Sequence, residues 1–356
     1  MHSPSKRRIY AAIALVLALV FAVPAWAAPK LLVDMQTAQV LYSEEAGQPW
    51  HPASLTKLMT AYVTFSAIAQ GRINLDTPVT ISKNAWNQAP SKSGLEVGSA
   101  ITLRDALYIL IVKSANDVAI AIAEAVSGSV PAFVDEMNAT ARIMGLTATH
   151  YTNPHGLHHA KQVTSARDLA VLALHIRYDF PKYLPMFGTG AVTLGKAVLE
   201  SNNSLLEHFA GTTGMKTGYV CASGLNIVAT VERQGRSLMA VVLGGSSARE
   251  RNELTAELFL RGLSGAVTGT GQSVVQLRNL DAEPVNMRPR ICGKESKAYV
   301  AEREAAFPLG LKGQPSYLTD VIKGAVYNAT DLGRIRNVPL PRPRPSYAPM
   351  ATAFAN

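Results

Sequence analysis

The chain has 356 residues, 48% of them hydrophobic and 17% charged, with a formal net charge of +9 at pH 7. That apolar content excludes a disordered chain and is enough for a sizeable core, arranged as one large domain or two small ones. Two cysteines, Cys221 and Cys292, are too few for a thiolate metal site but allow one disulfide in an oxidising compartment.

Residues 1–27 read as a secretory signal. Lys6, Arg7 and Arg8 form a cationic start, Ile9 to Val23 is apolar, and Ala25-Trp26-Ala27 supplies the small-any-small cleavage pattern. The apolar run is short for a membrane span, which needs about 20 residues, so an uncleaved anchor is the lesser reading and no clear anchor is expected after cleavage. A mature chain starting at Ala28 would have a formal charge of +6. The expected location is the periplasm or cell envelope, where a basic protein meets anionic wall polymer and membrane before nucleic acid.

Lys30 to Met35 and Ala38 to Tyr42 predict a short hairpin. Ser54 to Gln70 predicts a helix ended by Gly71, with Leu55, Leu58, Met59, Tyr62, Val63 and Ile68 near helical spacing. From about Thr102 to Tyr178 the chain reads as mostly helical. Thr102-Leu-Arg-Asp105 and Ser165-Ala-Arg-Asp168 resemble capping boxes with Asp in place of Glu, and Val118 to Val126 is Ala-rich. Leu225 to Glu232 and Ser237 to Leu243 are β-rich runs joined across Arg233-Gln234-Gly235-Arg236 as a hairpin, and Arg249 to Leu263 returns to helix. This order predicts an α+β domain over residues 28–263, a sheet with helices packed on it and an inserted helical lobe.

Residues 264–356 read as an irregular Pro/Arg-rich tail. Pro339, Pro341, Pro343 and Pro345 alternate with Leu340, Arg342 and Arg344, which favours an extended solvated linker over a nucleic-acid site. Within the tail, Tyr317, Leu318, Val321, Ile322, Ala325 and Val326 would line one face of a short helix interrupted by Gly324, a weak candidate for membrane contact.

Three motifs carry the chemical argument. In Ser54-Leu-Thr-Lys57, residues three apart share a helix face, so the Lys57 amine can reach the Ser54 hydroxyl and, if neutral, take its proton. A free lysine is neutral in only about one molecule in 2,500 at pH 7, so the site must lower its pKa by burial and a second cation. Ser114-Ala-Asn116 falls in a turn between helices, where Ser114 can relay a proton and the Asn116 amide can hold a peptide carbonyl and touch Lys57; a plain helix cap is the bland alternative. Lys216-Thr217-Gly218 enters a β-rich run and offers the second cation, a donor for a carboxylate, and close backbone approach along a strand edge. Each motif alone is weak. The three in this order are specific.

At these residues the chain resembles the penicillin-recognising serine enzymes, and among them the D-alanyl-D-alanine carboxypeptidases of the low-molecular-weight penicillin-binding proteins. The resemblance runs from about Ala28 to Leu263. It includes Ala53-Ser-Leu-Thr-Lys-Leu-Met-Thr60, Lys113-Ser-Ala-Asn-Asp117, Asn153-Pro-His-Gly-Leu157, Thr164-Ser-Ala-Arg-Asp-Leu169 and Gly214-Met-Lys-Thr-Gly-Tyr219. It implies a β-lactamase/transpeptidase-like fold, an antiparallel sheet flanked by helices with a mainly helical lobe and the site between them. It also implies Ser54 as nucleophile, Lys57 as base, and Ser114, Asn116 and Lys216 completing a polar ring. The backbone N–H groups of Ser54 and Tyr219 would form an oxyanion hole, and Thr217 with Arg251 would meet the substrate carboxylate. Relatives carry a further arginine ahead of the third motif, where this chain has Asn202-Asn203. Their usual β-rich second domain and C-terminal amphipathic helix are not recognisable here.

The implied activity is removal of the terminal D-alanine from peptidoglycan stem peptides ending in D-Ala-D-Ala, with β-lactams as covalent inhibitors. The alternatives are DD-endopeptidase or β-lactamase-like hydrolysis, or a catalytically idle wall-binding protein. No Glu-x-x-x-Asn stands between Ser114 and Lys216 to serve as the deacylating base of a class A β-lactamase. No cofactor is expected. His155, His158 and His159 lack acidic or cysteine partners at ligand spacing, so they read as a solvated loop and not a metal site.

Overall fold

The computed structural model describes residues 28–334, so the expected signal segment 1–27 and the Pro/Arg run 338–349 lie outside the described residues. The chain opens with strands β1 (Lys30–Asp34) and β2 (Val40–Glu44), then a 3-10 turn at Ala53–Thr56 that runs directly into helix α1 (Lys57–Ala69). A short pair, β3 (Pro78–Thr80) and β4 (Ala100–Thr102), precedes helices α2 (Leu103–Val112), α3 (Asn116–Ser127), α4 (Val130–Ile143) and α5 (Ala166–Asp179). Strands β5 (Thr189–Leu194) and β6 (Ala197–Glu200) form a hairpin. The long strands β7 (Thr212–Val220), β8 (Gly224–Arg233) and β9 (Arg236–Gly245) then lead into helix α6 (Ala248–Leu263), and helix α7 (Ser296–Ala306) and strand β10 (Ala325–Ala329) follow.

The main sheet has the order β2-β1-β9-β8-β7 and is antiparallel throughout, which leaves β7 at an edge. Strand β9 is apolar without alternation because both its faces are covered. Leu238, Ala240 and Val242 pack with Ile227, Phe209 and Phe259 of α6, whereas Met239, Val241 and Leu243 enter the larger core shared with the helical lobe. The β8–β9 turn places Gln234 and Gly235 at positive φ (55° and 72°), as a two-residue hairpin loop requires. Helices α1 and α3 are buried on almost all sides, so their apolar residues exceed a single stripe.

Thr102 and Ser165 cap their helices by accepting from the amides of Asp105 and Asp168. The reciprocal half of each expected box is replaced, because those carboxylates serve distant partners. Asp105 accepts from Tyr327 Oη at 2.7 Å, and Asp168 from Thr149 Oγ1 at 2.8 Å and Asn279 Nδ2 at 2.8 Å.

After α6 the chain continues as a belt around the domain. Val40 N donates to Gln272 O, Asn279 joins α5 through Ser165 and Asp168, Cys292 is disulfide-bonded to Cys221, and Arg303 pairs with Glu250. Strand β10 pairs in parallel with β5, Tyr327 stacks on Tyr108 at 3.6 Å, and Leu332 N donates to Ala100 O at 2.8 Å. The helix expected across Tyr317 to Val326 is not formed. Tyr317 N donates to Glu253 and Ile322 N to Glu207 O, Val321 is 95% exposed, and Ala325 and Val326 belong to β10. Among the described residues no single helix is long and apolar enough to cross a membrane.

Candidate active site

Ser54 lies within the 3-10 turn and Lys57 begins α1, so the pair straddles the change of helix type. Residues three apart nearly eclipse in a 3-10 turn, and Lys57 Nζ comes to 3.0 Å from Ser54 Oγ. The same Nζ donates to Asn116 Oδ1 at 2.7 Å and to His155 O at 2.6 Å. These three neighbours fit a neutral amine, whose two N–H groups serve the two carbonyl oxygens while its lone pair faces the serine hydroxyl. Burial, then the charge of Lys216, holds the Lys57 pKa well below its ordinary value.

Ser114 sits between α2 and α3 at φ +64°, a conformation strained for a residue with a Cβ. Its hydroxyl is buried and makes no hydrogen bond with the described residues, although it lines the same pocket as Ser54. Ala115, not Ser114, is the N-cap of α3, so the bland reading of Ser114 as a cap does not hold. Asn116 Nδ2 donates to Ala89 O at 2.9 Å, which orients its Oδ1 toward Lys57.

Strand β7 brings the third motif alongside. A Cβ on Gly218 would stand 2.9 Å from Ser54 N and 3.0 Å from Leu55 N, so only glycine lets the strand pass this close. Thr217, Gly218 and Tyr219 line the pocket together with Ser54, Ser114, Asn116 and Arg251, and its volume is about 360 Å³. Lys216 is buried beside them and donates to Thr217 O at 3.1 Å; burial, then the charge of Arg251, brings its pKa down to about 7. Arg251, lowered by burial to about 10, donates to Asn202 O at 3.1 Å. Asn203, in the segment where relatives carry an arginine, donates to Gly214 O instead.

His155 does not fit the solvated-loop reading. It is buried, and burial together with the nearby Lys57 pushes its pKa down to about 3, while its carbonyl holds the Lys57 amine. Gln162, which the motifs did not single out, fastens that loop: it is 1% exposed, its Oε1 accepts from Thr152 Oγ1 and its Nε2 donates to Thr56 Oγ1, one residue before Lys57. Its neighbours, His158-His-Ala-Lys-Gln-Val-Thr164, form no apolar run that would have marked it. His158 and His159 are exposed, and among the described residues no group of three or more His, Cys, Asp or Glu side chains is placed to hold a metal ion.

An edge strand, a serine held by a buried lysine and a second buried lysine meet at one pocket between a sheet and a helical lobe, an arrangement suited to serine acyl transfer. Residues 22–247 match the D-alanyl-D-alanine carboxypeptidase family, and the chain belongs to that family. It is 34% identical over 243 residues to the D-alanyl-D-alanine carboxypeptidase DacA of Haemophilus influenzae, covering 67% of this chain and 62% of that protein. Penicillin binding protein 5 from Haemophilus influenzae superposes with a TM-score of 0.63 at 33% identity, over 67% of this chain and 71% of that one. Penicillin-binding protein D2 from Listeria monocytogenes, solved in its cefotaxime-bound form, gives 0.61 at 27% identity over 67% and 97%. The match thus spans about three fifths of the length of DacA.

Proposed function

We propose that the protein is an exported serine D-Ala-D-Ala carboxypeptidase that trims peptidoglycan stem peptides through an acyl-enzyme on Ser54. The observation that carries this reading is the threefold hold on Lys57 by Ser54, Asn116 and His155 in a pocket whose wall is an open strand edge. The stem peptide lies along β7 as an added strand, with its terminal carboxylate at Thr217 and Arg251. Ser54 Oγ attacks the penultimate D-Ala carbonyl while its proton passes to Lys57 Nζ. The backbone N–H groups of Ser54 and Tyr219 receive the oxyanion, and the peptide C–N bond breaks as the leaving amine gains a proton through Ser114 Oγ. Water then attacks the acyl carbonyl, Lys57 takes its proton, and the shortened peptide leaves with Ser54 restored.

Family membership and the relatives' names support this class of reaction, and the contacts of Lys57 with Ser54, Asn116 and His155 support the roles given to Ser54 and Lys57. The expected export rests on the N-terminal segment. Purified muropeptides incubated with the protein should lose the mass of one D-alanine per pentapeptide stem, and unchanged masses with folded protein would refute the activity. Release of cross-linked dimers to monomers in the same sample would instead mark an endopeptidase.

A further inference from the structure

Arg251 points into the pocket from the first turn of α6, and that turn is held from outside by the belt. Glu250, next to Arg251, is 1% exposed. Its Oε2 accepts from the amide and hydroxyl of Ser246 at 2.8 and 2.7 Å, and its Oε1 accepts from Arg303 of α7 at 2.7 Å from Nε and 2.6 Å from Nη2. Glu253, two residues beyond Arg251, accepts from Ser316 Oγ and from Tyr317 N, the latter at 2.9 Å. Both carboxylates therefore face the belt, while Arg251 between them donates to Asn202 O and Asn252 Oδ1 and lines the pocket. A buried carboxylate deprived of its cation turns toward water or another cation, and Lys30 and Arg290 line the same pocket as Glu250 and Arg303, so the turn that carries Arg251 would be drawn toward the belt.

We propose that Arg303 is a positioning residue for recognition of the substrate carboxylate, because by pairing with Glu250 it fixes the first turn of α6, from which Arg251 enters the pocket. The inference rests on the carboxypeptidase reading above. It makes a segment outside the family match, which ends at residue 247, a working part of the site.

The test compares two substrates with one acyl group: a peptide ending in D-Ala-D-Ala, and a thioester whose leaving thiol has no carboxylate. In Arg303→Met, KM for the peptide is expected to rise about tenfold with kcat nearly unchanged, the size of one weakened charge contact, while the thioester is processed as by the wild type. Arg303→Gln, which still donates to Glu250 but has no charge, serves the same comparison should Arg303→Met fail to fold. Adding Glu250→Gln to either variant removes the unpaired buried charge that would pull the turn toward the belt and should return the peptide KM toward wild type, and Arg303→Lys should stay near it. Equal losses on both substrates, no loss on either, or a KM that Glu250→Gln does not restore would overturn the role of Arg303. Wild-type protein that turns over neither substrate would overturn the carboxypeptidase reading itself.

Discussion

Lys57 Nζ donates to the carbonyl oxygen of His155 at 2.6 Å, so a backbone group 98 residues away holds the amine that faces Ser54. The next residue, Gly156, stands at φ +89°, and a Cβ there would lie 1.8 Å from Ala53 O. Gly156→Ala should therefore lift the 153–157 loop away from Ala53 and withdraw the His155 carbonyl from Lys57. We expect a stability loss of about 2–4 kcal/mol and a fall in kcat/KM of about a hundredfold, read by thermal unfolding and D-alanine release. Wild-type values of both would show that the loop does not hold Lys57.

In the proposed mechanism the protonation of Lys57 should set the acid side of the activity profile. The base works when neutral, so kcat/KM rises as pH climbs through a pKa that burial and Lys216 hold low. Lys216→Met removes one of those causes, which raises the Lys57 pKa, so the acid limb should move to higher pH. Lys57→Ala should abolish the limb and lower kcat by about a thousandfold with the circular dichroism spectrum unchanged. An acid limb that stays in place in Lys216→Met would assign it to another group.

The motif residues were legible in the sequence because side-chain identity and spacing carry them: Ser54 and Lys57 are one turn apart, and Lys216, Thr217 and Gly218 are consecutive on β7. The His155 carbonyl was not legible, since a backbone acceptor is independent of the side chain that marks the position. The β8–β9 hairpin was readable from two apolar runs around Gln234-Gly235, but β10 was not. Ala325 and Val326 are exposed, so the strand shows no alternation, and its partner β5 lies more than 130 residues earlier. The belt is held mainly by hydrogen bonds, ion pairs and the disulfide, which leave little hydrophobic period in the sequence.

The disulfide between Cys221 and Cys292 spans 71 residues and ties the belt to the turn after β7, where Tyr219 Oη lies 3.2 Å from Cys292 Sγ. Closing a loop of that length removes conformational freedom from the unfolded chain, worth about 4 kcal/mol in the chain-entropy view. Cys292→Ser should accordingly lower the urea midpoint, and reduction of the wild type should reproduce the shift. An unchanged midpoint in both would mean that the unfolded chain is not constrained by this bridge.

Penicillin should acylate Ser54 and remain attached. A β-lactam offers a strained amide with a carboxylate nearby, so Thr217, Arg251 and the amides of Ser54 and Tyr219 would hold it as they hold the peptide terminus. Attack by Ser54 opens the ring, yet the leaving amine stays tethered to the acyl group and obstructs the path of water. Among the described residues, the pocket lining contains no carboxylate that would activate a water there. The adduct should thus outlast the peptide acyl-enzyme. Intact-mass measurement of protein running from Ala28 to Asn356 should show a gain of one penicillin, localised to the peptide that contains Ser54, and Ser54→Ala should show none. Ser114→Ala keeps Ser54 and Lys57 but removes the unpaired hydroxyl, so it should label more slowly to the same final extent. Labelling that persists in Ser54→Ala, or its absence in folded wild-type protein at any concentration, would remove Ser54 from the chemistry.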